Sequence, residues 1–298
     1  MTIIRAMGWL AAIAATAAAW ATWRRPADPF AGLVVVRDAT YGEADGRPLR
    51  LDLILPPGPA DAPRPLVVAV HGGSWTGGSR RDYGPQFADL ARDGLAVAVV
   101  DYRLARPGAP SWPGAVEDVR QAVDWLIDRA DRHRIDPRRV ALLGTSSGGL
   151  LAARAAQEDR RIAAVVCLST PFDLAELAAS RRLGHEPAEL FLGADPTDAS
   201  DLAADASPIT HVTPGGPPTL MIHGDDDAWV PLDQARKMLE RLETAGVPAR
   251  LVVIPGARHG FELRVGPPEP RDLAPVVREF LGAAWAGGGQ PEFEGLAP

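Results

Sequence analysis

Gly144-Thr145-Ser146-Ser147-Gly148 lies between the apolar run Val140–Leu143 and the helix-compatible stretch Leu150–Ala156. A serine at a sharp strand-to-helix turn presents its hydroxyl clear of the backbone, and only small flanking residues let the chain cross so closely. On this reading Ser146 is a nucleophile. Read more plainly, the segment is a glycine-rich turn in which Ser146 caps a helix. Ser147 competes as the nucleophile but lacks the symmetric glycine flanks.

A serine hydroxyl is a poor nucleophile unless a base takes its proton, and the base needs a carboxylate to orient it. Where the nucleophile sits on such a turn, the partners follow in the chain order Ser, acid, His. Downstream histidines are His185, His211, His223 and His259. His185 and His211 fall in a long connection, where solvated roles are expected. His223 opens the acidic turn His223-Gly224-Asp225-Asp226-Asp227-Ala228-Trp229-Val230-Pro231, and only His259 follows it. His259 is therefore the expected base. Of the three aspartates, Asp227, nearest the helix start at Val230-Pro231, and Asp226 are the candidate acids, and spacing alone does not separate them. A run of acids also reads as a solvated loop.

Acyl transfer needs donors for the developing oxyanion. His71-Gly72-Gly73-Ser74-Trp75 follows the apolar run Leu66–Val70, and its glycines let main-chain N–H groups face a substrate without a Cβ in the way. The N–H groups of Gly73, Ser74 and Ser147 are the expected donors. Trp75, Phe172, Phe191 and Trp229 flank these motifs, either as pocket lining or as ordinary core.

These residues must be held by elements legible in the hydrophobic pattern. Apolar runs at Leu33–Val36, Leu49–Leu55, Leu66–Val70, Leu95–Val100, Val140–Leu143, Ile162–Leu168, Thr219–Ile222 and Leu251–Ile254 read as strands. Between them Ala115–Arg129, Gln234–Leu242 and Val276–Trp285 carry apolar residues at helical spacing. The alternation predicts an α/β fold with a mainly parallel eight-stranded sheet and helices on both faces. Leu49–Leu55 alternates apolar and polar residues, as an antiparallel edge strand does. Residues 169–218, after the sixth strand, exceed a plain connection. They include helix-compatible Phe172–Ala179 and Pro187–Leu192 and are expected to form a short lid-like excursion.

The 298 residues are 46% hydrophobic and 23% charged, which excludes a disordered or fibrous chain. A formal charge of −7 argues against a nucleic-acid partner. A single cysteine, Cys167, excludes a disulfide framework. At the amino terminus the uncharged run Ala6–Trp23 is flanked by Arg5 and by Arg24-Arg25. Its length and its tryptophans fit a membrane anchor or an export signal, although Arg24 and Arg25 disfavour cleavage. The expected organisation is a hydrophobic segment over 1–28, a catalytic domain over 29–286 and a disordered tail over 287–298.

Taken together the motifs resemble the hormone-sensitive-lipase-like and feruloyl-esterase-like carboxylesterases of the α/β-hydrolase fold. The resemblance rests on His71–Trp75, Asp101-Tyr102-Arg103-Leu104-Ala105, Glu117-Asp118 with Asp124-Trp125-Leu126, and Ile135-Asp136-Pro137. It extends through the serine turn, Ser207-Pro208-Ile209 and His223–Pro231. It implies Ser146 as nucleophile, Asp227 as acid, His259 as base, and Gly73, Ser74 and Ser147 as oxyanion donors, with His71 structural. Ser74 stands where lipase-like members carry a third glycine, a form shared with kynurenine formamidases, and Ser147 replaces a usual alanine. The implied activity is hydrolysis of a small-molecule carboxylic ester, short- to medium-chain, without metal or organic cofactor. An arylformamidase, a prolyl-oligopeptidase-like peptidase and a non-catalytic binding protein of the same fold are the rivals. Oligomeric state is not encoded in these motifs.

Overall fold

The computed structural model describes residues 28–58, 62–179, 185–261, 263–265 and 271–287. Eight strands form one sheet: β1 (Val34–Ala44), β2 (Arg47–Leu55), β3 (Arg64–Val70), β4 (Ala96–Val100), β5 (Ile135–Thr145), β6 (Ile162–Leu168), β7 (Thr219–Gly224) and β8 (Ala249–Ile254). Their order is β1-β2-β4-β3-β5-β6-β7-β8. β2 runs antiparallel to both neighbours, and the pairings from β4 through β8 are parallel.

Successive residues of the central strands bury on opposite faces, which is why those strands read as continuous apolar runs. Leu66, Val68, Val70, Leu142 and Val140 join a core shared with the helices Gly114–Ile127, Ser147–Glu158 and Leu232–Thr244. The intervening Val67, Ala69, Val97 and Val99 are fully buried outside that core, as are Phe87, Leu90, Val277 and Phe280 of the helices that cover the other face.

Two expectations for the edge region are corrected. β2 is antiparallel as expected but is not an edge strand, because β1 covers it. Asp52, the polar residue that suggested a solvent face, is buried. It accepts hydrogen bonds from Arg80 Nε at 3.0 Å and from the Asp38 amide at 2.8 Å. β1 itself extends well past the apolar run to Ala44, through two register shifts, and turns back at Asp45-Gly46. Both turn residues have positive φ, 52° and 71°, as a two-residue hairpin turn matched to strand twist requires.

Among the described residues the excursion after β6 holds three α-helices, Leu174–Ala179, His185–Leu192 and Ser200–Ala206, the last not anticipated, and a 3-10 turn at Pro208–His211. It is seated on the domain by long-range bonds. The amides of Ser111 and Trp112 both donate to the Phe191 carbonyl, and Gln234 Oε1 accepts from the amides of Phe172 and Asp173. Among the described residues no helix is long and apolar enough to cross a membrane. The segment 6–23 and residues 288–298 of the tail lie outside the described residues.

Candidate active site

β5 delivers the nucleophile position. Ser146 has φ 54° and ψ −122°, a conformation rare for a residue with a side chain, and its amide donates to the Leu168 carbonyl at 2.8 Å. The two glycines of the motif are sterically required. A Cβ on Gly144 would collide with the Gly148 carbonyl, and one on Gly148 with the carbonyls of Val70 and His71. The strain at Ser146 is thus held by a turn packed against the end of β3.

Beyond β7 and β8, two loops bring in the partners. His259 Nε2 lies 2.9 Å from Ser146 Oγ, and its Nδ1 lies 2.8 Å from Asp227 Oδ2. Because Nδ1 faces a carboxylate it carries the proton, which leaves Nε2 as the acceptor for the serine hydroxyl. The three consecutive aspartates have separate roles. Asp225 Oδ1 accepts the Gly256 amide at 2.6 Å, and Asp226 meets exposed Arg258 at 3.2 Å. Asp227 alone turns inward, its side chain fully buried.

Asp227 is surrounded by donors. Oδ1 accepts the amides of Trp229 and Val230, each at 2.9 Å, while Oδ2 faces His259 and, at 3.4 Å, His223 Nε2. Burial alone would push its pKa up, but the hydrogen bonds from His223 and His259, the His259 charge and the Val230 amide hold it well below the usual carboxylate range. His223 is buried, and its Nε2 also donates to the Val230 carbonyl at 2.9 Å. The sequence reading left His223 without a role. Its four-residue spacing from Asp227 across a turn was the available signal.

The loop after β3 faces the serine turn. A Cβ on Gly72 would lie 3.0 Å from the Thr145 carbonyl and 3.4 Å from Ser146 Cβ, so the two loops touch. Gly73 (φ 125°) and Ser74 (φ 54°) both line the cleft. The amides of Gly73, Ser74 and Ser147 have no acceptor among the described residues. His71 is buried, stacks on Tyr102 at 4.4 Å and donates from Nδ1 to the Gly72 carbonyl, and burial lowers its pKa, as suits a neutral structural imidazole. Tyr83, bonded through its hydroxyl to Thr145 Oγ1 at 2.5 Å, braces the same wall.

The cleft enclosed by these residues has a volume of about 340 Å³. Trp229 lines it, 40% exposed, with its ring 6.0 Å from that of His259. Trp75 and Phe172, expected as possible lining, are core residues instead. Trp75 is 2% exposed and stacks on Phe191 at 4.6 Å, and Phe172 is fully buried. Both are large apolar side chains near a motif, and near the motif they pack inward.

The strand order, the antiparallel second strand and a serine on a tight turn after β5 define an α/β-hydrolase. The chain belongs to the BD-FAE family, whose model matches residues 51–242. It is similar to the probable carboxylic ester hydrolase LipM of Mycobacterium tuberculosis (29% identity, covering 89% of this chain and 68% of LipM). It is also similar to an ethyl acetate hydrolase of Pseudomonas putida (32% identity, 78% of this chain and 76% of that protein). Among solved structures, the esterase Est2 of the Planctomycetes species Thermogutta terrifontis superposes with a TM-score of 0.65 at 26% identity, covering 89% of this chain and 96% of Est2. The chain spans 56% and 62% of the length of two further Mycobacterium tuberculosis esterases, LipC and LipQ. The domain is thus an enzyme of the ester-hydrolase class.

Proposed function

We propose that the protein hydrolyses short- to medium-chain carboxylic esters through an acyl-enzyme on Ser146. The observation that carries this is the continuous relay from Ser146 Oγ through His259 to Asp227, at 2.9 and 2.8 Å. Ser146 Oγ attacks the acyl carbon as His259 Nε2 takes its proton. The oxyanion meets the amides of Gly73, Ser74 and Ser147, and Asp227 stabilises the imidazolium. His259 then protonates the leaving alcohol, and a water activated by the same imidazole releases the acid. The cleft of about 340 Å³ suits a small acyl group rather than a long fatty chain. Trp229, exposed beside the base, is the side chain placed to contact substrate.

The test is hydrolysis of 4-nitrophenyl acetate, butyrate, octanoate and palmitate by wild type and by Ser146→Ala. Turnover of the short esters that is lost in the variant supports the reading. A folded protein inactive on every ester but active on N-formylkynurenine would replace it with the formamidase. A protein that a fluorophosphonate fails to label would be a binder. We further propose that residues 6–23 attach the enzyme to a membrane or direct its export. Recovery of the full chain in the soluble cytoplasmic fraction would overturn that.

A further inference from the structure

A second cavity, of about 330 Å³, adjoins the catalytic cleft and shares His71, Gly78 and Ser79 with it. Its outer walls are the turn between β1 and β2, bearing Asp45 and Arg47, and the segment Asp101–Arg106. Three arginines face it, and they are not equivalent. Arg103 is committed to buried Asp118 through its amide at 2.8 Å, Nε at 2.9 Å and a terminal nitrogen at 2.6 Å. The Asp101 carboxylate is likewise committed to Arg80. Arg106 reaches Asp45 only at 3.7 Å, with both side chains about half exposed. Arg47 has no acidic partner among the described residues. The cavity therefore carries one uncompensated guanidinium beside a loosely held second, in a chain whose formal charge is −7.

Both arginines sit on stiff backbone. Arg47 pairs with Ala44 directly after the two-residue turn Asp45-Gly46. Arg106 closes the turn over Pro107-Gly108 by exchanging both main-chain hydrogen bonds with Ala109, at 3.0 and 2.8 Å. Such placement lowers the ordering cost of binding, and a guanidinium fork matches the two oxygens of a carboxylate.

We propose that this cavity is a subsite for a monoanionic carboxylate, bound by Arg47 and Arg106 next to the loop that carries Gly73 and Ser74. A dianionic group such as a phosphate monoester is disfavoured, because the Asp45 and Asp101 carboxylates line the same space. The carboxylate is either part of the ester substrate or a free acid whose binding alters the adjoining loop. The substrate-borne form rests on the ester-hydrolase reading given above.

The experiment compares wild type with Arg47→Gln, Arg106→Gln and the double variant, and has three arms. The first measures KM for 4-nitrophenyl hydrogen adipate and hydrogen suberate against 4-nitrophenyl heptanoate and nonanoate, and for 3-acetoxybenzoate against phenyl acetate. In wild type at least one anionic ester should show a KM about fivefold or more below its neutral counterpart, abolished in the double variant with the neutral KM unchanged. The second arm adds free benzoate, a monoanion, to neutral-ester turnover. A change in wild type that the double variant lacks, with no preference among esters, assigns the site to a free acid. The third is calorimetric titration of benzoate into the protein, which reports the site whether or not any ester is turned over. No anionic preference, no benzoate effect and no calorimetric binding together overturn the subsite, as do equal effects of the variants on neutral and anionic esters. Loss of turnover on every ester instead removes the catalytic reading and leaves the calorimetry to decide the subsite.

Discussion

Asp227 and Asp118 are both buried carboxylates that accept several hydrogen bonds, and only one of them belongs to the relay. Asp118 is 1% exposed and, among the described residues, takes its hydrogen bonds from Arg103 alone. Asp227 is gripped by two amides and two imidazoles. A guanidinium holds its charge at all working pH values, so its pair is a fixed strut between the Asp101–Arg106 segment and the helix Gly114–Ile127. The His259 imidazole instead bridges to Ser146 Oγ, so the carboxylate meets a new positive charge when His259 takes the serine proton. What separates structural from catalytic acid here is whether the donor also touches the nucleophile, not burial or bond count.

The sharpest break of this comparison is at the relay itself. Asp227→Asn keeps the size of the side chain and removes its charge, and should lower kcat on 4-nitrophenyl butyrate by about 10⁴-fold with the fold retained, as Ser146→Ala should or more. Circular dichroism paired with steady-state kinetics checks it. Asp118→Asn, the matched change at the strut, should leave kcat for the neutral ester within a few-fold. A fall comparable to that of Asp227→Asn would dissolve the distinction.

The strut should instead appear in stability. Asp118→Ala leaves Arg103 without its counter-charge and should cost about 3 kcal/mol in denaturant unfolding, tempered because Arg103 is 28% exposed. An unchanged unfolding midpoint would show that the pair contributes nothing net.

Much of this was legible because it is local. All eight apolar runs became strands, and the central ones were legible because a parallel strand buried on both faces has no polar positions to alternate. The serine turn and the acidic turn were each readable from a few adjacent residues, and His259 from chain order, as the one histidine after the acidic turn. What escaped the sequence was long-range charge. Asp52 looked solvent-facing because its partner Arg80 is remote in sequence, and nothing local announces that Arg80 is buried among Asp38, Asp52 and Asp101. The distal half of β1 escaped because only Tyr41 and Ala44 of its residues are buried, at a spacing interrupted by a register shift, and Ser200–Ala206 because its apolar residues are mostly alanine. For Trp75 and Phe172 the sequence left pocket lining and core both open, because proximity to a motif says nothing about the direction of a side chain.

His223 sharpens the comparison further, as a donor to Asp227 that does not touch Ser146. Its Nε2–H is shared between the Val230 carbonyl and Asp227 Oδ2. His223→Leu should lower kcat by about tenfold with KM little changed, since one hydrogen bond to a charged group is removed. His223→Gln, which restores an N–H donor, should recover part of that loss. A purely packing role predicts the opposite order, with Leu the better tolerated substitution.

The smallest effect is the pH dependence of the contribution of Asp227 to stability. Hydrogen bonds from His223 and His259 hold its folded-state pKa well below the usual carboxylate range. For a depressed carboxylate, the folded state binds fewer protons than the unfolded state as pH falls through the unfolded value, so its stabilisation is complete above that value. The stabilisation is lost progressively as the pH falls from the unfolded value toward the lower, folded one. The melting-temperature difference between wild type and Asp227→Asn should therefore be flat above about pH 5 and narrow by a few degrees below about pH 4. A difference that widens on acidification would mean that the carboxyl of Asp227 is held protonated in the fold, and a protonated acid cannot stabilise the imidazolium that the relay requires.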